Sequence, residues 1–371
     1  VLFQSLLVLL LVAVVYIAGV NIVQNLAAVG IHIDYGFLGR QAGFDVNESL
    51  IDYDAGRSYG RALWVGVLNT LALSAVCIVG ATVLGTVMGM LRTSQNWLGS
   101  TLAYVYVEVM RNLPKLLILL TLYILTINQL PPVRQAVDIL GVFHLSNRAF
   151  YFPALIWQPH MHSVLIALLV TVLLLFVYRR FVIHHQQKTG QRWPIFWPGL
   201  ALLCLVWWLS SLLFNVHYVF EIPRLQGFDF SGGGRISVQF LVLALALSVY
   251  HGGQVAELVR GGIQSVSKGQ EEAARSSGLT YLQVMRLVVL PQALRVIIPS
   301  MGNQYLNITK NTSIGLAVGF SDLVSVMNTA INQTFRPIEL MSIAALIYLS
   351  ICLVVTLLIN LYNRRMRLEK A

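Results

Sequence analysis

Of the 371 residues, 57% are hydrophobic and 11% charged, with a mean hydropathy of +0.73. An ordinary soluble domain carries roughly 25% charged residues, so this chain is read as an integral membrane protein. The net charge of +10 does not signal nucleic acid, because the basic residues form no dense stripe and no basic–aromatic interleave. Cys77, Cys204 and Cys352 stand far apart in apolar runs, which excludes a disulfide framework and offers no metal or redox spacing.

In chain order, the charge-free stretches predict about eight transmembrane helices, because a crossing needs about 20 apolar residues. They fall near 5–27, 63–91, 104–128, 163–183, 196–216, 237–258, 296–327 and 339–362. The fold class expected is therefore an all-α integral membrane protein. The first stretch lacks a charged leader and a small-residue cleavage site, and Val1 is not a methionine. Lys and Arg set the orientation. One side collects 14 of them, including Arg92, Arg179, Arg180, Arg192, Arg260, Arg364 and Lys370, against 8 on the other. Both termini are thus expected on the cytoplasmic side, and Asp34, Asp45, Glu48, Asp52 and Asp54 in one outer loop.

Four parts follow. Residues 1–62 give an N-terminal helix and outer loop, and 63–127 a first part of the helical core. Residues 128–236 hold two extra spans, and 237–371 the remaining core with a cytoplasmic loop at 260–291. That loop carries two S/T-x-x-Q capping boxes, Ser267 with Gln270 and Thr280 with Gln283. Gly278 stands where a helix ends in positive φ, and Pro291 should limit the second helix. The reading is a helix–turn–helix with small Ala273 and Ala274 beside Glu271 and Glu272. Small side chains admit another protein's surface, and the carboxylates orient it. A plain surface hairpin is the alternative.

The seventh span contains Asn303, Gln304, Asn307, Thr309, Lys310, Asn311, Thr312 and Ser313. An ionisable residue within a span costs about 2.5–3.5 kcal/mol on insertion scales unless it meets a cavity or partner. So dense a polar run predicts a broken helix lining an aqueous pocket, with Lys310 available to a substrate carboxylate. Snorkelling of Lys310 with polar helix packing is the alternative. Glu108 with Arg111 and Glu257 with Arg260 are each three apart and read as structural ion pairs.

No G-x-x-x-x-G-K-[ST] occurs, and Ser231-Gly-Gly-Gly-Arg235 reads as a flexible turn before a span. His160-x-His162 and His184-His185 lack acidic or thiol partners at ligand spacing and are read as interfacial or solvated. No nucleophile–base or metallohydrolase motif points to an intramembrane enzyme.

Glu272-Ala-Ala274, Gly278 and Val288-x-Leu290-Pro291 together resemble the EAA loop of bacterial ABC importer permeases. Gly66-Val-Leu-Asn69-Thr70, Tyr106-Val-Glu108-Val-Met-Arg111-Asn112-Leu-Pro114 and Lys310-Asn-Thr-Ser313 resemble the polar-amino-acid branch. Gly43 to Glu48 with Tyr59-Gly-Arg61 is similar to the first permease of general L-amino-acid or glutamate/glutamine/aspartate/asparagine importers. The resemblance implies a five-helix permease core plus an N-terminal helix and an inserted pair, in the bacterial inner membrane. It implies an ATPase-coupling loop through Glu271, Glu272, Ala273, Ala274, Gly278, Leu290 and Pro291. It likewise implies a substrate pathway through Asn303, Gln304, Asn307, Lys310, Asn311, Thr312 and Ser313. Partners would be a homologous second permease, separate ATPase subunits, an outer amino-acid-binding protein delivering to the outer loops, the amino acid and the bilayer. No cofactor belongs to this chain, since ATP and Mg would bind the ATPase. An ion-coupled secondary transporter, with Lys310 as its coupling site, is the alternative.

Overall fold

The computed structural model describes residues 2–28, 33–190 and 193–368. Val1, Arg192 and Lys370, used above for the start and the orientation count, lie outside them. So do the side chains of Arg364, Arg365 and Arg367.

Twelve helices follow along the described chain: α1 (Leu2–Ala28), α2 (Tyr59–Arg92), α3 (Trp97–Asn112), α4 (Lys115–Gln129), α5 (Met161–Thr189), α6 (Phe196–Leu213), α7 (Val238–Gln264), α8 (Lys268–Ser276), α9 (Tyr281–Val284), α10 (Leu290–Asn311), α11 (Leu323–Thr334) and α12 (Pro337–Leu368). Among the described residues, six helical runs are long and apolar enough to cross a membrane, or seven if the bent α3–α4 pair is one span. About eight were expected. The remaining one corresponds to α1, whose apolar stretch covers Ser5–Asn21.

The chain divides into two units. The first comprises residues 1–129 and 237–371. Its centre is the packing of α2 on α7, with α10 and α11 against them. Helix starts are local chemistry: Ser58, Asn96, Ser237 and Asp322 each accept a backbone N–H of the first turn. Pro114 has no N–H and disfavours helix at Leu113, so α3 and α4 meet at 104° rather than continuing as the straight span expected. One core cluster joins Leu63 and Val67 of α2 to Leu323, Val326 and Leu340. Another joins Val255 and Val259 of α7 to Ala293, Ile297 and Met301 of α10.

The seventh span also departs from expectation. Its helical run covers Tyr281–Val318, not 296–327. α9 passes through a π turn at Met285–Val289 into α10, which tightens to a 3₁₀ helix over Thr312–Val318. Pro291 therefore does not limit a helix. It lies two residues beyond the π turn that joins α9 to α10, and the helical run continues through it. The segment beyond Gly319 is a separate helix, α11.

The second unit, residues 130–236, adds short strands to the helical membrane fold expected. Besides α5 and α6 it holds short strands: β1 (Val137–Ile139), β2 (Phe143–Leu145), β3 (Ala149–Phe152), β4 (Ala154–Leu155), β5 (Phe220–Glu221), β6 (Arg224–Gln226), β7 (Asp229–Ser231) and β8 (Gly234–Ser237). They form a sheet in the order β1-β2-β3-β8 and the pairs β4-β5 and β6-β7. In β3 Ala149 and Tyr151 are buried while Phe150 and Phe152 are half-buried, a period of two too brief to stand out among apolar runs. The Tyr151 hydroxyl donates to Asp229 at 2.5 Å; burial and that carboxylate push its phenol up to about 12. Gly232 and Gly233 make a tight turn between β7 and β8.

Candidate functional site

The 260–291 loop folds as the helix–turn–helix anticipated, with corrections. Ser267 makes no side-chain cap, so the first capping box does not form. In the second, Gln283 Oε1 accepts the Thr280 N–H at 2.9 Å. Gly278 has φ +83°, its N–H reaches Arg275 O at 2.9 Å, and the Leu279 N–H reaches Ala274 O at 3.3 Å. This crossed pair satisfies two terminal carbonyls and needs the left-handed residue. Ala274 is buried with Val284, Val289 and Leu279, so it packs its own hairpin rather than a visitor. Glu271 pairs with Arg275 at 2.6 Å and lines a cavity of ≈ 220 Å³ with Thr93, Gln95 and Tyr281. Glu272 and Ala273 are exposed, and among the described residues Glu272 forms no ion pair. Leu290 and Pro291 open α10, one helical turn beyond the hairpin's core.

The polar run of α10 separates into two faces. Asn303, Asn307 and Lys310, at spacings of four and three, are exposed together. Lys310 has no ion-pair partner among the described residues. Gln304, Thr309 and Thr312 are buried, with Asn311 and Ser313 half-buried. The helix gives way to 3₁₀ at Thr312, inside the polar run.

The inner face meets three residues that sequence reasoning missed. His251, 1% exposed and halfway along α7, lies 2.6 Å through Nδ1 from the Gln304 amide and 3.0 Å through Nε2 from Asn311 Nδ2. The Gln304 and Gln254 amides are in contact. Lys115, first residue of α4, donates to Asn311 Oδ1 at 2.5 Å. His251 and Gln254 in a charge-free span, and Lys115 straight after Pro114, were the available signals.

The ion pairs are rearranged. Glu257 pairs with Arg260 at 2.5 Å, as expected. Glu108 meets Arg92 at 3.7 Å instead of Arg111, and Arg92 also reaches Glu257 at 2.5 Å. One guanidinium at the end of α2 thus ties α3 to α7.

On the opposite side the acidic loop is largely used up internally. Arg57 holds Asp52 at 2.7 Å and Asp54 at 3.3 Å, and Arg336 holds Asp34 at 3.6 Å. Burial, with Asp45 and Asp54 near, raises the Tyr53 phenol. Glu48 accepts from the Ser237 N–H at 2.9 Å and from its hydroxyl at 2.8 Å. Asn69 donates to Glu48 O at 2.7 Å and Ser321 O at 2.9 Å, while Thr70 accepts the Leu323 N–H at 3.0 Å. The Asn69-Thr70 motif therefore fixes the linker that follows the broken span. In that linker Asp322 is fully buried, and burial lifts its carboxyl to about 6.

Among the described residues no three His, Cys, Asp or Glu side chains gather as a metal set.

The family model described as "Binding-protein-dependent transport system inner membrane component" matches residues 188–368. The general L-amino acid transport system permease protein AapQ of Rhizobium johnstonii is 40% identical over 366 residues, 99% of this chain and 92% of the relative. The putative amino-acid ABC transporter permease protein YhdX of Escherichia coli is 43% identical, covering 98% and 93%. The glutamate/glutamine/aspartate/asparagine transport system permease protein BztB of Rhodobacter capsulatus is 36% identical, covering 99% and 95%. The chain belongs to the permease subunits of binding-protein-dependent ABC transporters: it is a multi-pass inner-membrane protein that works with an ATPase and a binding protein, is not itself the ATPase, and carries no cofactor.

Proposed function

We propose that this permease, paired with a homologous second permease, conducts L-amino acids inward and couples their passage to a separate ATPase through the α8–α9 hairpin. The observation that carries the reading is the division of labour along one continuous helical run. Tyr281–Val318 begins at an exposed hairpin bearing Glu272 and ends at a polar break bearing Lys310. Movement of the hairpin therefore reaches the polar break along one helical run, through the π turn at Met285–Val289 and past Pro299. The names of the three relatives, all amino-acid permeases, support the substrate class.

In this mechanism Glu271, Glu272, Ala273, Ala274, Gly278, Leu290 and Pro291 build the coupling element. Ala274 and Gly278 shape it, the Glu271–Arg275 pair stiffens it, and the Glu272 carboxylate meets the ATPase surface. Closure of two ATPase subunits on ATP draws the two hairpins together and rocks the core helices. Asn303, Asn307 and Lys310 line the pathway on one face of α10. Gln304, Asn311, Thr312 and Ser313 form the polar wall of the break on its other face. The excess of Lys and Arg on the hairpin side supports cytoplasmic termini.

The test is Glu272→Lys in the full complex. ATP-driven uptake should be lost, with the protein still inserted, because the substitution reverses the charge on the hairpin carboxylate that forms no ion pair among the described residues. Undiminished uptake would remove the coupling role.

A further inference from the structure

Lys115 and His251 have no role in the reading above, and the inference drawn from them rests on that importer reading. Three observations converge. Lys115 is a half-buried ammonium in the bent α3–α4 span, and no carboxylate among the described residues lies within ion-pair distance of it. An ionisable group at such depth normally has a partner or a ligand. Among the described residues its hydrogen-bond partner is Asn311 Oδ1, which engages one of three ammonium N–H groups and leaves two. It also stands at the N-terminus of a 15-residue half-helix, whose dipole favours an anion although the Leu117 and Ile118 N–H groups are taken by Pro114 O.

The third observation is the direction of the hydrogen bonds behind it. Lys115 can only donate, so it fixes the Asn311 oxygen toward itself and the Asn311 NH₂ toward His251 Nε2. That nitrogen is then an acceptor. A neutral imidazole has one donor and one acceptor, so Nδ1 carries the hydrogen. The Gln304 amide must turn its oxygen to Nδ1, and Gln254 must turn its NH₂ to the same oxygen. Only this arrangement gives each contact one donor and one acceptor. The row from Lys115 to Gln254 thus has a single polarity, set at one end by the ammonium.

We propose that Lys115 and Asn311, at the N-terminus of α4, form an anion subsite that takes the carboxylate of the transported amino acid, with His251 as the positioning residue that fixes the Asn311 amide. The subsite lies at the level of the middle of α7, where a broken helix can present donors without exposing backbone to lipid. It is separate from Lys310, which occupies the exposed face of α10. The carboxylate accepts hydrogen bonds from the two remaining ammonium N–H groups, and water takes its place when it leaves.

The experiment uses the complete permease–ATPase complex in proteoliposomes, with the binding protein outside and labelled L-glutamate as probe. The reading is the number of amino acids imported per ATP hydrolysed, compared among variants that co-purify with their partners. A charge-assisted hydrogen bond contributes about 1.5–3 kcal/mol, so Lys115→Met should lower that ratio about 10- to 100-fold. Lys115→Gln keeps a donor for Asn311 but not the charge and should fall equally, whereas Lys115→Arg should recover most of the ratio. His251→Leu should lower it by a smaller factor, and His251→Gln, which again offers Asn311 an acceptor, should restore it. An unchanged ratio in Lys115→Met, or a Lys115→Arg variant as poor as Lys115→Gln, would overturn the proposal. Failure of the unmodified complex to import with ATP would instead overturn the importer reading, and this one with it.

Discussion

Replacing Gly85 by alanine tests whether the α2–α7 contact sets the geometry on which the pathway depends. Ala81, Gly85 and Gly89 recur at every fourth residue of α2 and are all buried. Small residues at this spacing let two membrane helices approach closely. A Cβ at Gly85 would lie 2.5 Å from Val255 Cβ, 2.6 Å from its Cγ1 and 2.7 Å from the Gly252 carbonyl oxygen. Carbon atoms settle at about 3.5–4.0 Å, so the helices must part by about 1 Å. The Gly252 oxygen is backbone, and no rotamer change relieves it. Overpacking of this kind costs about 1–3 kcal/mol. Alanine also gains helix propensity over glycine, which must be separated from the clash. Gly261→Ala on α7 supplies that control, since nothing lies within 4 Å of its Cβ position. In thermal unfolding of the detergent-purified complex, Gly85→Ala should melt several degrees below Gly261→Ala, at about 2–4 °C per kcal/mol. His251 adjoins Gly252, so uptake should fall with the displaced helix. Equal melting temperatures for the two variants would refute the close-packing argument.

Three further outcomes are expected. Lys310→Ala should impair uptake and substrate-stimulated ATP hydrolysis without dissociating the complex, and unaltered rates in both assays would leave Lys310 with no part in the pathway. In double-mutant cycles on thermal stability, Arg92→Met should couple more strongly to Glu257→Gln than to Glu108→Gln, since the contacts are 2.5 and 3.7 Å; the reverse order would count against a shared guanidinium centred on Glu257. Asp322 has a carboxyl raised by burial, so the folded state binds its proton more tightly than the unfolded one. Its stabilising protonation is complete below about pH 4 and lost as pH rises through about 6, at a cost of about 3 kcal/mol above that. Asparagine caps a helix equally well, so Asp322→Asn should melt above the native protein at pH 8 and level with it near pH 4. A variant less stable at both pH values would contradict this.

The sequence by itself determined the membrane class, most of the spans and the helix–turn–helix of α8 and α9. Each of these rests on a short-range signal: the length of a charge-free run, or a glycine and caps a few residues apart. Gly278 shows how local that is, since the helix end it makes involves only Arg275, Ala274 and Leu279. The site was legible in part. Polar residues packed into an apolar span announce a break wherever they fold, and the break came within the run, at Thr312. Which of those residues face outward and which inward depended on the neighbours of α10, so the reading grouped Gln304 and Lys310 although they lie on opposite faces. Short strands in 130–236 were hidden because four residues of period two cannot be told from an apolar run. Only the tertiary structure decided the pairings across distant segments. Glu108 meets Arg92 rather than the sequence-adjacent Arg111, Glu257 keeps Arg260 and adds Arg92, and Lys115, His251 and Gln304 come together from three helices. A side chain's partner is set by which helices pack and at what rotation, and that is fixed by the whole core, including the close approach at Gly85, rather than by its neighbours along the chain.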